Sequence, residues 1–202
     1  MPELTRALAD RNYTEPTPVQ ARVIPEILAG RDILAGAQTG TGKTAGFTLP
    51  LLQRLHPLQN PPRSPRAVVL VPTRELAAQV ADSVKSYGKY LRLRTLVIFG
   101  GVSEKPQIEA LRAGCDLLVA TPGRLLDLAQ QRVLDLRAVR TLVLDEADRM
   151  LDMGFLPDVR RIVTATRARS HTMLFSATMP REIADLAAQL LANPVRVAVA
   201  PP

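Results

Sequence analysis

Ala37-Gln38-Thr39-Gly40-Thr41-Gly42-Lys43-Thr44 decides how the rest of the chain is read. It follows a short apolar run, Ile33-Leu34-Ala35, and opens into a helical pattern, Ala45-Gly46-Phe47-Thr48-Leu49. Strand, glycine-rich loop and helix in that order are what a phosphate-binding loop requires. Gly40 and Gly42 let the backbone curl until successive N–H groups point into one concavity. The positive end of the following helix dipole adds to that field, so the loop can cradle a polyphosphate. Lys43 then reaches the β- and γ-phosphates, and the Thr44 hydroxyl can ligate Mg²⁺. The pattern departs at its first position, where Ala37 replaces Gly; a methyl group is tolerated there if φ stays negative.

Outward from the loop the same grammar repeats. An apolar run is followed at once by a polar or proline-containing turn and then by a helical pattern. Val68-Val69-Leu70-Val71 leads into Pro72-Thr73-Arg74-Glu75, and Leu117-Leu118-Val119 into Thr121-Pro122-Gly123-Arg124. Leu142-Val143-Leu144 leads into Asp145-Glu146-Ala147-Asp148, and Met173-Leu174-Phe175 into Ser176-Ala177-Thr178. Thr95-Leu96-Val97-Ile98-Phe99 runs into Gly100-Gly101. Apolar strands alternating with helices predict an α/β fold, a mostly parallel sheet with helices on both faces. Ligands of such sheets bind outside the carboxyl ends of the strands, so all these turns should converge on one edge. Before the loop, residues 2–11 read as an amphipathic helix, and Tyr13 to Gln20 as a loop feeding a second helix that ends near Gly30. The proline-rich stretch from His56 to Pro65 reads as a surface loop, because the alternation resumes directly after it.

The 202 residues fit one sizeable domain, and 47% hydrophobic content can fill its core. No apolar run is long enough to span a bilayer, and no signal-peptide core opens the chain, so no membrane partner is expected. Cys115 is the only cysteine, so there is no disulfide framework; His56, His171 and Cys115 are too widely spaced for a zinc site. A cytoplasmic protein is the simplest expectation. A net charge of +7 and a pI near 10.3 suit a polyanionic partner, although a solvated basic surface would look the same. With four Phe, three Tyr and no Trp, there is little to stack successive bases. A nucleic acid would therefore be held by its sugar-phosphate backbone rather than read base by base.

Two acids ending an apolar strand, Asp145 and Glu146, are costly in a sheet interior. Beside a phosphate loop, Asp145 is the expected Mg²⁺ carboxylate and Glu146 is placed to orient or deprotonate an attacking water. The alternative is that both acids merely favour the start of a helix through its dipole.

Asp145-Glu146-Ala147-Asp148 also spells the signature of the DEAD-box RNA helicases, which this chain resembles over essentially its whole length. The matching turns come in family order: the segment ending at Gln20, Ala37 to Thr44, Pro72 to Ala77, Gly100-Gly101, Thr121 to Arg124, and Ser176 to Thr178. Phe99 to Ser103 and Thr44 to Thr48 look most like the bacterial RhlE-type subgroup. The resemblance implies a RecA-like three-layer P-loop NTPase fold, with ATP and Mg²⁺ as cofactors and ATP hydrolysis coupled to local RNA unwinding.

It also implies further roles. ATP would be bound by Tyr13, Gln20 and the loop residues Ala37, Gln38, Thr39, Gly40, Thr41, Gly42, Lys43 and Thr44. Gln20 would recognise adenine, with Tyr13 packed beside the base; yet Thr17 and Gln20 also make a good helix capping box. Asn12 stands where the family usually has Gly. Pro72, Thr73, Arg74, Gly100, Gly101, Thr121, Pro122, Gly123 and Arg124 resemble the family's RNA-backbone contacts, while either Thr alone could be an ordinary N-cap. Ser176 and Thr178 resemble the coupling motif, whose hydroxyls bond the last acid of the signature, here Asp148.

The family works with two such domains, the second supplying arginine fingers and half of the RNA track. No later arginine-rich motif follows Asn193-Pro194 here. The expectation is a single helicase ATP-binding domain over residues 1–202, with an adenine-reading segment within 1–20, whose partner domain is absent and which hydrolyses ATP poorly alone. Two other readings remain: a different phosphate-loop ATPase motor acting on DNA, and a non-catalytic ATP-gated RNA clamp.

Overall fold

Among the residues described by the computed structural model, which are 1–38, 40–56 and 63–198, seven strands form one sheet in the order β3-β4-β2-β5-β6-β1-β7. They are β1 (Ile33–Gly36), β2 (Ala67–Leu70), β3 (Thr95–Ile98), β4 (Leu117–Ala120), β5 (Thr141–Leu144), β6 (His171–Phe175) and β7 (Val195–Ala198). Every ladder is parallel. The strands are short and almost wholly apolar because both faces are covered, and β2, β4, β5 and β6 are buried at every position.

Alternate side chains feed two cores. Ile33, Ala35, Val69, Val143, Met173 and Phe175 face one cluster, which holds residues of α1 (Pro2–Asp10), α2 (Pro18–Leu28), α3 (Lys43–Leu55) and α4 (Arg74–Tyr87). Leu34, Leu70, Leu118, Leu144 and Leu174 face the other. That side is closed by residues of α5 (Lys105–Arg112), α6 (Pro122–Gln130), α7 (Ala147–Asp152), α8 (Leu156–Ala165) and α9 (Arg181–Leu190). The result is the three-layer α/β arrangement expected from the alternation.

The element boundaries follow the local chemistry. Thr17 caps α2 in a complete capping box with Gln20, Thr73 caps α4, and Pro122 opens α6 where its missing N–H is harmless. The first helix stops one residue short of its expected end, and β2 is shifted by one, so Val71 follows it rather than closing it. Of the expected loop from His56 to Pro65, residues 57–62 lie outside the described residues.

The amino-terminal helix is clasped onto the turn that follows α4. Asp10 accepts from Lys89 at 2.7 Å and from the Tyr90 hydroxyl, while the Arg6 guanidinium lies 4.1 Å from the Tyr90 ring centre. That clasp fixes where Tyr13 emerges.

Candidate nucleotide and nucleic-acid site

The register aligns Ile98, Ala120, Leu70, Leu144, Leu174 and Leu34 as one row across six strands. Just past that row come the turns singled out in sequence, all on one edge. Their lateral order differs from their chain order. Gly100-Gly101, Thr121 to Arg124 and Pro72 to Arg74 follow the adjacent strands β3, β4 and β2. Asp145 to Asp148, Ser176 to Thr178 and the phosphate loop follow the adjacent strands β5, β6 and β1. The sheet thus gathers the suspected RNA turns on one half of the edge and the suspected nucleotide turns on the other.

In the second half, Lys43 opens α3 and reaches across to the acids after β5. Its Nζ lies 3.0 Å from Asp145 Oδ1 and 3.6 Å from Glu146 Oε1, and Glu146 Oε2 is 3.5 Å from the Arg149 guanidinium. Asp145 is fully buried, which pushes its carboxyl above the usual range; the Lys43 ammonium opposes that shift. Both Asp145 oxygens lack a hydrogen bond of good geometry, the Lys43 contact being an ion pair. Glu146 takes a left-handed backbone, φ 53°, which a non-glycine residue adopts at some expense and which turns its side chain back toward the loop.

A divalent cation fits this chemistry. Asp145 offers hard oxygens without hydrogen bonds, and the Thr44 hydroxyl makes none to any described residue. No cluster of three or more His, Cys, Asp or Glu that could hold a metal occurs among the described residues. A Mg²⁺ ion here would therefore need oxygens from a nucleotide and water, as it commonly does.

The loop itself meets the conditions set for it. Ala37 is buried and does not take a positive φ, whereas Gly40 and Gly42 do, at 86° and 82°. Thr41 donates to the Gln38 carbonyl at 2.8 Å. Thr39 lies outside the described residues.

Gln20 joins helix cap and loop. Its Oε1 accepts from the Thr17 N–H at 3.0 Å, and its Nε2 donates to the Gly42 carbonyl at 3.0 Å. The approach is close: a Cβ at position 42 would come within 2.7 Å of Gln20 Nε2 and 2.9 Å of Thr17 Oγ1, so one of them would have to shift. Beside this junction lies a cavity of about 440 Å³, lined by Gln20, Tyr13, Gly40, Gly42 and Thr44. Its apolar wall is Leu8, Ile24, Leu49 and Tyr87, four residues no motif marks. Arg11 lies over both Tyr13 and Tyr87, 5.1 Å from each ring centre, and the two rings stand 6.4 Å apart. Asn12, at the family's glycine position, adopts φ 57°, the left-handed backbone that Asn tolerates best after Gly. A second depression of about 410 Å³ opens on the other side of the loop, lined by Lys43, Glu146, Asp148, Arg149, Asp152 and Ala177.

Asp148 is bound to the turn after β6. Thr178 donates to Asp148 Oδ2 through its hydroxyl at 2.8 Å and its N–H at 3.0 Å. Ser176 behaves differently from its partner: its hydroxyl accepts from the Asp148 N–H at 3.1 Å and donates to the Thr178 carbonyl at 2.7 Å. Burial alone would raise the Asp148 carboxyl, but the hydrogen bonds from Thr178 and Arg149 outweigh it and hold it below the usual range.

In the first half, Pro72 and Pro122 are buried and anchor the starts of α4 and α6. Thr73 accepts from the Leu76 N–H at 3.2 Å as an N-cap, whereas Thr121 occupies the N-cap of α6 without a side-chain bond. Arg74, Gly100, Gly101 and Gly123 are exposed, and Arg124 is half-buried. A Cβ at Gly100 or Gly101 would meet nothing within 4 Å, so no protein packing demands glycine at either position.

A family model described as DEAD/DEAH box helicase matches residues 17–186. The chain belongs to the DEAD/DEAH box helicase family. It is 48% identical over 197 residues to the ATP-dependent RNA helicase DeaD of Mycobacterium tuberculosis, covering 97% of this chain and 34% of that protein. With DEAD-box ATP-dependent RNA helicase 40 of Arabidopsis thaliana the identity is 44%, over 97% of this chain and 18% of that one. A crystal structure of a hypothetical ATP-dependent RNA helicase from Sulfolobus tokodaii superposes with a TM-score of 0.90 at 36% identity, covering 98% of this chain and 56% of that one. The fold of this DEAD/DEAH box chain is accordingly the RecA-like one. The chain spans about a third or less of the two curated relatives and a little over half of the solved one.

Proposed function

We propose that this chain is the ATP-binding, RecA-like domain of an ATP-dependent RNA helicase, with residues 1–20 forming its adenine-reading segment. The observation that carries the reading is that the turns after β3, β4 and β2 lie together on one half of a sheet edge and those after β5, β6 and β1 on the other, the halves meeting between β2 and β5. We read the second as the nucleotide half and the first as the nucleic-acid half. The base enters the cavity beside Tyr13 and Gln20, and the phosphates run along the loop to Lys43. An amide nitrogen has two N–H groups and an amide oxygen two lone pairs. Gln20 can therefore keep its contacts to Thr17 and Gly42 while its remaining N–H meets adenine N7 and its oxygen accepts from N6–H. Guanine presents an acceptor where adenine presents that donor, and is disfavoured.

Hydrolysis removes the γ-phosphate by attack of water. Glu146 takes the proton of that water, and Lys43 neutralises charge on the β- and γ-phosphates. Thr44 and Asp145 would hold Mg²⁺, whose chemistry there is to neutralise charge developing on the same phosphates. Asp148, Ser176 and Thr178 couple the nucleotide half to movement against a second RecA-like domain. Thr73, Arg74, Gly100, Gly101 and the turn from Thr121 to Arg124 hold the RNA backbone without reading its sequence. That accords with the shortage of aromatic side chains and the net charge of +7.

The test uses a protein that carries this chain together with its second domain. ATP hydrolysis stimulated by single-stranded RNA but not DNA, with ATP-dependent duplex separation, is the expected result; Lys43→Ala should abolish both. Equal stimulation by DNA would make it a different motor, and RNA binding without turnover would make it a clamp. Ser176→Ala with Thr178→Ala should leave hydrolysis largely intact and remove unwinding, and loss of both in equal proportion would overturn the coupling role.

A further inference from the structure

Phe99, directly after β3, and Gln107, on α5, belong to none of the turns assigned above to nucleotide or RNA, yet together they join the two arginines of the nucleic-acid half. The Arg74 guanidinium carbon lies 4.9 Å from the Phe99 ring centre. The Phe99 carbonyl accepts from Gln107 Nε2 at 3.0 Å, and Gln107 Oε1 accepts from Arg124 Nη1 at 3.1 Å. Arg124 Nη2 donates to the Val102 carbonyl at 2.9 Å, closing the turn that contains Gly100 and Gly101.

We infer that Phe99 and Gln107 form a bracket that presets Arg74 and Arg124 for two phosphates of one RNA strand, with the Gly100-Gly101 turn held open between them. The inference rests on the RNA track proposed above.

Three features support it. Neither guanidinium forms an ion pair with a carboxylate among the described residues, so both charges stay available to an anion. Arg124 engages two of its five N–H donors, leaving three for a phosphate. Arg74 rests on a ring face, a contact that orients the fork without consuming its donors. Side chains ordered beforehand need not be ordered when the strand arrives, which is how preorganisation raises affinity. The open space beside Gly100 and Gly101 lets a sugar-phosphate backbone come close. Gln107 and Phe99 are thus positioning residues acting through the arginines, not RNA ligands.

The test is fluorescence anisotropy of a labelled oligouridylate strand on this chain at low ionic strength, with MgADP affinity and thermal melting measured in parallel. Arg124→Ala should weaken RNA binding and lower the salt slope by about one. Gln107→Leu should weaken it about tenfold, the size of one charge-assisted hydrogen bond, and Phe99→Leu about threefold. MgADP affinity should not change in either. Because Gln107 works chiefly through Arg124, adding Gln107→Leu to Arg124→Ala should cost much less than the tenfold it costs alone. Gln107→Met, similar in shape but without either hydrogen bond, should match Gln107→Leu. It also serves if the leucine variant fails to fold. If Arg124→Ala weakens RNA binding while both Gln107 variants and Phe99→Leu do not, or if the double variant is additively weaker, the bracket is wrong and the track stands. If neither Arg74→Ala nor Arg124→Ala alters RNA affinity, the track itself is wrong and the bracket falls with it.

Discussion

Lys43 Nζ stands 3.0 Å from Asp145 Oδ1 at a point where Lys43 is 5% exposed and Asp145 not at all. The two charges come from positions separated by about half the chain, and leaving either buried without the other is costly. Burial raises the Asp145 carboxyl and the Lys43 ammonium counteracts that rise.

Removing one member of such a pair costs more than the pair contributes, because the partner is left buried and uncompensated. Lys43→Ala should therefore destabilise the chain by about 3 kcal/mol as well as remove nucleotide binding, and adding Asp145→Asn should restore most of that stability without restoring binding. Urea unfolding of the three proteins measures it. Single and double variants of equal stability would mean that Asp145 does not depend on Lys43.

Gln20 has two functions that a conservative change can separate. Gln20→Glu keeps the acceptor that caps α2, a residue type common at that capping-box position, and loses the donor that reaches Gly42 and would reach adenine. Its stability should stay within about 0.5 kcal/mol of wild type, whereas Gln20→Ala should lose about 1 kcal/mol. Both should lose the preference for MgADP over MgGDP in a calorimetric titration. A glutamate variant that still prefers ADP would reduce Gln20 to a cap.

Much of this site could be read in the chain, for a physical reason. Buried parallel strands are continuous apolar runs, and their carboxyl-terminal turns carry the polar groups, so the phosphate loop, Asp145-Glu146 and the suspected RNA turns stood out by context. The lateral order of the strands could not be read, because any order satisfies the same alternation; hence the gathering of turns into two halves emerged only in three dimensions. Leu8, Ile24, Leu49 and Tyr87 look like ordinary core positions, and only the docking of α1 and α2 beside α3 makes them a pocket wall. Thr73 and Thr121 look alike in sequence, yet only one uses its hydroxyl as a cap. Gln107 gave no signal at all, since a glutamine on an amphipathic helix is usually solvated.

Two glycines of the loop should respond differently to the same substitution. Gly40 and Gly42 share a positive φ, but a Cβ at Gly40 meets nothing within 4 Å, while at Gly42 it strikes Gln20 and Thr17. Gly40→Ala should cost about 1 kcal/mol of backbone strain. Gly42→Ala should cost about 1–3 kcal/mol more and loosen MgADP binding as Gln20 is displaced. Thermal melting with and without MgADP distinguishes them, and equal losses would show that Gln20 yields freely.

His171 should make stability depend on pH below neutrality. It is buried at the start of β6, with Nε2 at 2.6 Å from the Arg31 carbonyl, while Nδ1 has no partner. A carbonyl only accepts, so Nε2 carries the proton in the neutral ring. A second proton on Nδ1 would place a cation with an unanswered donor in the core. Burial chiefly, and Arg54 in smaller part, push the folded pKa below the ordinary value, against the Arg31 carbonyl and Asp32. Between the folded value and about 6.5 the unfolded chain binds a proton that the folded one refuses, so folding is weakened as the pH falls through that window. Above about 6.5 both states are neutral and the contribution is flat. The slope should not exceed about 1.4 kcal/mol per pH unit, the limit for one proton. Urea unfolding across that range should show the decline in wild type and a shallower one in His171→Leu, whose absolute stability also reflects the lost bond to Arg31. Parallel curves for the two proteins would place the pH dependence elsewhere, in the carboxylates that lose their hydrogen bonds in acid.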